Sequence, residues 1–350
     1  MSYRSNERRR SGEGRMVRGS RVHSTMEEKR GNFEMDRTNV EPPSVRRVDA
    51  QVLLPTIQNF VETEQVRGLK DRVKLWAAVG YSPHIVGPTG CGKTTLAMWV
   101  AKEMGNPTVW INGDEQMTTR DLIGGYSEME TSSVRDRFVH NVFISKDKTS
   151  FKWVDNPLTI ACKNGYTLVY NEFSRAKPVA NNVLLSVLEE HILELPTMFG
   201  EERYIDVHPD FNVIFTSNSI EYAGVFRPQD ALLDRMVDVY MGYYDLDTEV
   251  KIVQAHSGMV PAEAKRIVQV VRKLREQMPD PHKPGTRAEI MISQGLRAMN
   301  GYSKESLEQI YMDVLATKIG APGEILKHQD LVRAKINEIY GGRKKTQGAA

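Results

Sequence analysis

The sequence predicts an α/β fold: a parallel five-stranded sheet covered by helices, with inserted β-hairpins and a smaller all-α domain toward its C-terminal end. Three observations carry that expectation. A glycine-rich string, GPTGCGKT at 87–94, lies between the apolar run His84-Ile85-Val86 and the helix-like TLAMWVAKEM. Four further apolar runs, at 108–112, 166–171, 211–217 and 237–240, alternate with segments of helical spacing, which implies parallel strands under helical cover. After Asp245 the strand signal ends and only helical patterns follow.

Taken in order, residues 1–50 read as a basic arm. Its first 30 residues hold nine Arg or Lys against four Glu, a net +5. Large apolar side chains are almost lacking there, so burial cannot offset the ordering entropy and disorder is expected. Two uses stay open for the arm: an electrostatic contact with an acidic partner or nucleic acid, or a solvated tail. Residues 51–245 make the α/β domain. Ile57, Phe60 and Val61, then Val66, Leu69, Val73 and Trp76, give a helical face before the first strand.

More than fifty residues separate the second and third strands, and they include DLIGGY and FKWVDNPL. Beyond the helix VANNVLLSVLEEHI, the strings LEL and RYIDV flank a Gly-containing turn in the manner of a hairpin. Such insertions on an open α/β core are usually functional surfaces. Residues 246–340 then read as an all-α lid built from VKIVQAH, AEAKRIVQVVRKLREQM, RAEIMISQGLRAM and SLEQIYMDVLATKI, and 341–350 as a flexible tail.

Bulk properties exclude more than they select. The chain has 350 residues, 40% hydrophobic and 26% charged, and a net charge of +2 that points to no partner. No run of 18 apolar residues and no apolar signal core occur, so a cytoplasmic protein without a membrane span is expected. Cys91 and Cys162 are too few for a disulfide framework or a zinc site.

Strand, glycine loop and helix in that order form a P-loop, which makes ATP with Mg²⁺ the expected ligand pair. Gly87, Gly90 and Gly92 let backbone N–H groups surround the phosphates; Pro88, Thr89, Cys91 and Thr95 complete the stretch. Lys93 reaches the β/γ-phosphates, and Thr94 gives a hydroxyl to the metal. The third strand ends in Asn171-Glu172. An Asp normally steadies Mg²⁺ at the first of these positions, while the Glu orients the attacking water. Asn171 keeps the oxygen but loses the charge, so binding is better supported than fast turnover.

Asn218, at the end of VIFTSN, is placed to position that water. Arg235, in ALLDRM, suits a guanidinium supplied across a subunit boundary, and Arg287, in PGTRA, suits a phosphate sensor near a helix start. Each has a plainer alternative, such as a turn Asn or a salt-bridged surface Arg.

Together these residues resemble the AAA+ ATPases of the MoxR type. The family's DE-N-R-A segment is matched by NEFSRA at 171–176, its paired glutamates by Glu189-Glu190, its later block by GVFRPQDALLDRM at 224–236, and its lid motif by Thr286-Arg287-Ala288. Within that group the chain is similar to the gas vesicle protein N family in FVET at 60–63, GKTTLAM at 92–98, WVDNPLTIACKNGYTLVYNEFSR at 153–175 and NNVLLSVLEE at 181–190. The resemblance implies Asn218 as sensor 1, Arg235 as arginine finger and Arg287 as sensor 2.

It also implies a hexameric homo-oligomeric ring that hydrolyses ATP, is associated with gas vesicles, and remodels shell or accessory proteins during vesicle assembly. A nucleotide-gated scaffold with little hydrolysis and a general MoxR chaperone for metalloenzyme maturation remain as alternatives. Nucleic-acid binding through the arm is the least favoured reading.

Overall fold

The Thr63 hydroxyl accepts the Val66 amide and so starts α1 (Glu64–Ala78), which leads into β1 (Ser82–Gly87). The computed structural model describes residues 57, 59–136, 144–196, 204–218, 226–279, 282–299, 301–316 and 325–341; the expected arm and all of the tail but Gly341 lie outside these. α2 (Lys93–Met104) rises from the glycine loop and is followed by β2 (Thr108–Asn112). The long segment after β2 contains α3 (Thr119–Ile123), an antiparallel hairpin of β3 (Gly124–Asp136) with β4 (Ile144–Asp155), and α4 (Pro157–Asn164). β5 (Thr167–Asn171), α5 (Pro178–Asn181) and α6 (Val183–Glu189) come next. A second hairpin, β6 (Ile192–Glu194) with β7 (Tyr204–Asp206), precedes β8 (Asn212–Asn218), α7 (Asp230–Leu233) and β9 (Met236–Tyr240).

The five expected strands form one parallel sheet in the order β2-β5-β8-β1-β9. Both hairpins stand outside it, as the sequence led one to expect. The period of two decides which side chain faces which layer. Leu168, Tyr170, Val213 and Phe215 enter a core with Leu122, Leu158, Phe173 and Leu184. Their neighbours Val169 and Ile214 point the opposite way, into a core with Val73, Ile85, Leu96 and Val100 from the α1 and α2 side. Each fully buried side chain of this size contributes roughly 2 kcal/mol of transfer free energy, so the alternation fixes the strand faces.

Register sets the site. Gly87 of β1 lies opposite Asn218 of β8, and Asn112 of β2 lies opposite Asn171 of β5, so the polar ends of four strands share the C-terminal edge of the sheet.

Beyond β9 the chain is helical: α8 (Leu246–Ser257), α9 (Pro261–Gln277), α10 (Thr286–Ala298), α11 (Lys304–Leu315) and α12 (Ile325–Tyr340). Ile267, Val270, Val271 and Leu274 make an i, i+3, i+4, i+7 stripe on α9, and it packs with Ile292, Leu296, Leu307 and Tyr311. The helical spacing predicts four helices in this region, and α12 is a fifth. Only Val332, Ile336 and the flanking His328 are buried on that helix, and a stripe so thin among charged residues becomes legible once it packs. No helix among the described residues is long and apolar enough to cross a membrane.

Candidate functional site

The loop between β1 and α2 has the backbone shape its glycines allow. A Cβ on Gly87 would lie 2.0 Å from the Met241 carbonyl oxygen, so that position admits no side chain. Gly92 has φ +103°, the left-handed region, and directly precedes the first residue of α2. The loop and the α2 N-terminus thereby form one concave rim of amides with the positive end of the helix dipole behind it.

Lys93 is only 5% exposed. Its ammonium donates to the carbonyls of Gly87 at 3.0 Å and Pro88 at 2.8 Å, and to Asn218 Oδ1 at 2.9 Å. Burial lowers its pKa, with the Cys91 and Glu172 side chains acting in the opposite sense. Cys91 is fully buried beneath the loop, 3.8 Å from the Met241 carbonyl, and burial raises its thiol pKa. It packs under the P-loop.

Asn218 joins two charges. While its carbonyl oxygen accepts from Lys93, its Nδ2 donates to Glu172 Oε2 at 2.8 Å. Glu172 sits just past the end of β5 with φ +52° and is approached by Arg175 Nε at 3.7 Å. Asn171 is fixed from three sides. Its Oδ1 accepts from the hydroxyls of Thr94 at 2.7 Å and Thr216 at 2.8 Å, and its Nδ2 donates to Asn112 Oδ1 at 2.6 Å. Thr216 in turn accepts the Glu172 amide at 3.1 Å. Asn112 and Thr216 were missed by the sequence reading, since they meet Asn171 only through the β2–β5–β8 register.

Arg287 also reaches the loop: its amide donates to the Gly90 carbonyl at 3.1 Å, and its Cβ lies beside Gly90. Arg235 does not. It pairs with Glu189 and the Ala231 carbonyl, just before β9 begins. Met236 is level with Ser82 at the N-terminal edge of the sheet, so five residues of β1, about 16 Å of strand, separate that level from Gly87. Of the expected constellation, Lys93, Thr94, Asn171, Glu172, Asn218 and Arg287 therefore converge, and Arg235 stands at the opposite edge.

An AAA domain (dynein-related subfamily) model matches residues 84–236. Gas vesicle ATPase GvpN of Haloferax mediterranei is 48% identical over 339 residues, covering 93% of this chain and 97% of that protein. The chain belongs to the gas vesicle ATPase GvpN family. Gas vesicle ATPase GvpN1 of Halobacterium salinarum is 46% identical over 338 residues, covering 93% of this chain and 96% of that protein. Among solved structures, the Thermotoga maritima RuvB branch migration motor matches 73% of this chain and 70% of that chain, at 16% identity and a TM-score of 0.43. GvpN-family chains are MoxR-type AAA+ ATPases, and this one binds nucleotide.

Beside the P-loop, this GvpN-family chain holds a cavity of about 160 Å³. Its walls come from four separate segments: Asn59 to Val66, the loop with Thr95, Tyr244 to His256, and Thr286 to Ile290. Phe60 stacks on Trp99 at 4.2 Å, which holds one wall flat. Burial lowers the His256 pKa, which disfavours the charged imidazole. A largely apolar recess of this kind, next to a phosphate-binding rim, accepts a flat heteroaromatic base. The sequence offered only FVET as a hint of it.

Behind the cavity lies a buried ionic network. Glu249 of α8 and Glu289 of α10 are both fully buried. Arg275 of α9 donates to Glu249 at 2.7 Å and Glu289 at 3.1 Å, and Arg272 donates to Glu249 at 2.8 Å. Burial, with the Glu249 carboxylate nearby, pushes the Glu289 pKa up to about 8. Its Oε2 has no hydrogen-bond partner, which suits a carboxyl that keeps its proton.

Proposed function

We propose that this chain works as a Mg²⁺-dependent ATPase in a ring of copies, where turnover drives the assembly or growth of gas vesicles by remodelling shell or accessory proteins. The relatives' names supply the gas vesicle link. The carrying observation for the chemistry is the chain Lys93–Asn218–Glu172, which ties the phosphate-binding cation to the carboxylate beside it. In this reading Glu172 orients the attacking water, Asn218 holds it near the γ-phosphate, and Lys93 and Arg287 bind phosphate oxygens. Arg235 serves the site of the adjoining copy, a role compatible with its position at the far edge of the sheet from its own P-loop.

Thr94 Oγ1 and Asn171 Oδ1 lie 2.7 Å apart, and hard oxygen donors of this kind fit Mg²⁺ with its waters. When bound, the metal supplies charge neutralisation on the triphosphate. Residues 246–340 act as a lid, because Thr286 and Arg287 border the cavity beside the P-loop and would shift with its occupancy. The protein is cytoplasmic or vesicle-associated in this reading, with no nucleic-acid role.

Phosphate release by the wild type, Lys93→Ala and Glu172→Gln tests the proposal. Both variants should fall by at least about 100-fold. Equal release from all three would discard catalysis.

Asn171 favours a second reading, a nucleotide-gated scaffold with slow hydrolysis. The amide is neutral where a carboxylate would grip the metal, and its Nδ2 is spent on Asn112. If missing charge limits the rate, Asn171→Asp should raise turnover by about tenfold, with Asn112 turning its amide to donate. An unchanged rate would remove this explanation.

A further inference from the structure

Two backbone segments, one leading into the helical region and one within it, touch the nucleotide cavity, and both are held from behind by one side chain. The first segment, Tyr243-Tyr244, follows β9, and the Tyr244 side chain lines the cavity. The second, Lys283-Pro284-Gly285, precedes α10, whose first residues Thr286 and Arg287 line it too. A Cβ on Gly285 would lie 2.8 Å from the Thr89 carbonyl oxygen, so this segment rests directly on the P-loop.

Arg275 reaches both. Its Nε donates to the Pro284 carbonyl at 2.9 Å, and its guanidinium lies over the Tyr243 ring at 4.0 Å. The Tyr243 hydroxyl closes the arrangement by donating to the Lys283 carbonyl at 3.3 Å. Arg272, one turn earlier on α9, donates to the Tyr244 carbonyl at 2.9 Å. Glu249 and Glu289 each accept from one of the two terminal guanidinium nitrogens and lock the fork in one orientation.

We propose that Arg275 is a positioning residue for nucleotide binding: by holding Tyr243 and the Pro284 carbonyl at once, it sets the height of Tyr244 and the α10 N-terminus against the P-loop. A planar fork with three directions of hydrogen bonding and a flat face can do this, whereas a point charge on a flexible stem cannot. The residue itself does not line the cavity, so it acts through Tyr243, Tyr244 and Pro284. The inference rests on the nucleotide site described above.

The test is titration calorimetry of a non-hydrolysable ATP analogue with Mg²⁺ on the full chain, with circular dichroism melts alongside. Arg275→Lys keeps the charge and loses the fork; it should remain folded and bind about tenfold more weakly. Tyr243→Leu removes the ring beneath the guanidinium and the hydroxyl on Lys283, and should weaken binding by about threefold. Leu307→Ala cuts into the same helical core on α11, away from both segments; it should lower the melting temperature while leaving Kd within about twofold of the wild type. Wild-type affinity in Arg275→Lys, or weakening by Leu307→Ala as large as that by Arg275→Lys, would overturn the proposal. If Arg275→Lys does not fold, Tyr243→Leu decides, and unchanged affinity there overturns it. Absence of binding by the wild type would instead sink the functional reading itself.

Discussion

Replacing Asn218 by Ala is the most informative single change, because it removes both halves of the link between Lys93 and Glu172. Lys93 would lose one of three acceptors and keep the Gly87 and Pro88 carbonyls, so its place in the loop should survive. Glu172, with its side chain 20% exposed, would lose its Asn218 donor and recover part of that interaction from water. Each charge-assisted hydrogen bond is worth about 1.5–3 kcal/mol, and a preorganised donor that acts in the transition state about 3 kcal/mol. Ground-state nucleotide binding should therefore change by less than about threefold, while kcat falls by roughly 100-fold. Steady-state phosphate release and titration calorimetry on the same preparations separate the two effects. A variant with kcat within about threefold of the wild type, or with kcat intact and binding lost, would refute the role given to this bridge.

Two further predictions follow from the far edge of the sheet and from the buried network. Arg235→Ala should leave nucleotide affinity unchanged and abolish turnover; mixing it with Lys93→Ala should restore part of the rate, since some interfaces then pair an intact loop with an intact arginine. No recovery on mixing, read as phosphate release against mixing ratio, would place Arg235 outside the reaction. Glu289 keeps its proton up to about pH 8 in the folded chain, while the ordinary value is 4.5, so the unfolded chain releases that proton first as pH rises. Its contribution to stability is therefore full below about pH 4.5, falls as pH rises and is gone above about pH 8. Melting temperatures across that window should slope less in Glu289→Gln than in the wild type, and identical slopes would refute the assignment; Arg272, Arg275 and Glu249 are the charged groups that face it.

The sheet was legible because its inner strands are short continuous apolar runs, buried on both faces, and the P-loop because its glycines and lysine occur in a fixed order between strand and helix. Asn171, Glu172 and Asn218 could be named for a related reason: each lies at the end of a strand that the apolar pattern marks. The cavity beside the P-loop was not legible. Asn59, Tyr244, His256 and Ile290 are far apart in the chain and share a wall only after the helical region docks. The ionic network was hidden by the same rule that revealed the helices, since Arg272, Arg275, Glu249 and Glu289 look like the solvated faces of α8, α9 and α10 until those faces meet. Asn112 escaped because nothing local distinguishes it from an ordinary strand-end residue.

The φ of +52° at Glu172 has a consequence for how this protein balances durability against work. A side-chain-bearing residue in that conformation costs about 1 kcal/mol, which glycine would not incur. Glu172→Gly should thus relieve a standing tension at the end of β5, partly offset by the unfolded chain's greater freedom and by the lost contacts of the carboxylate. A protein that melts no lower than its parent yet turns over no ATP would reveal a carboxylate kept in place for what it does rather than for how comfortably it fits.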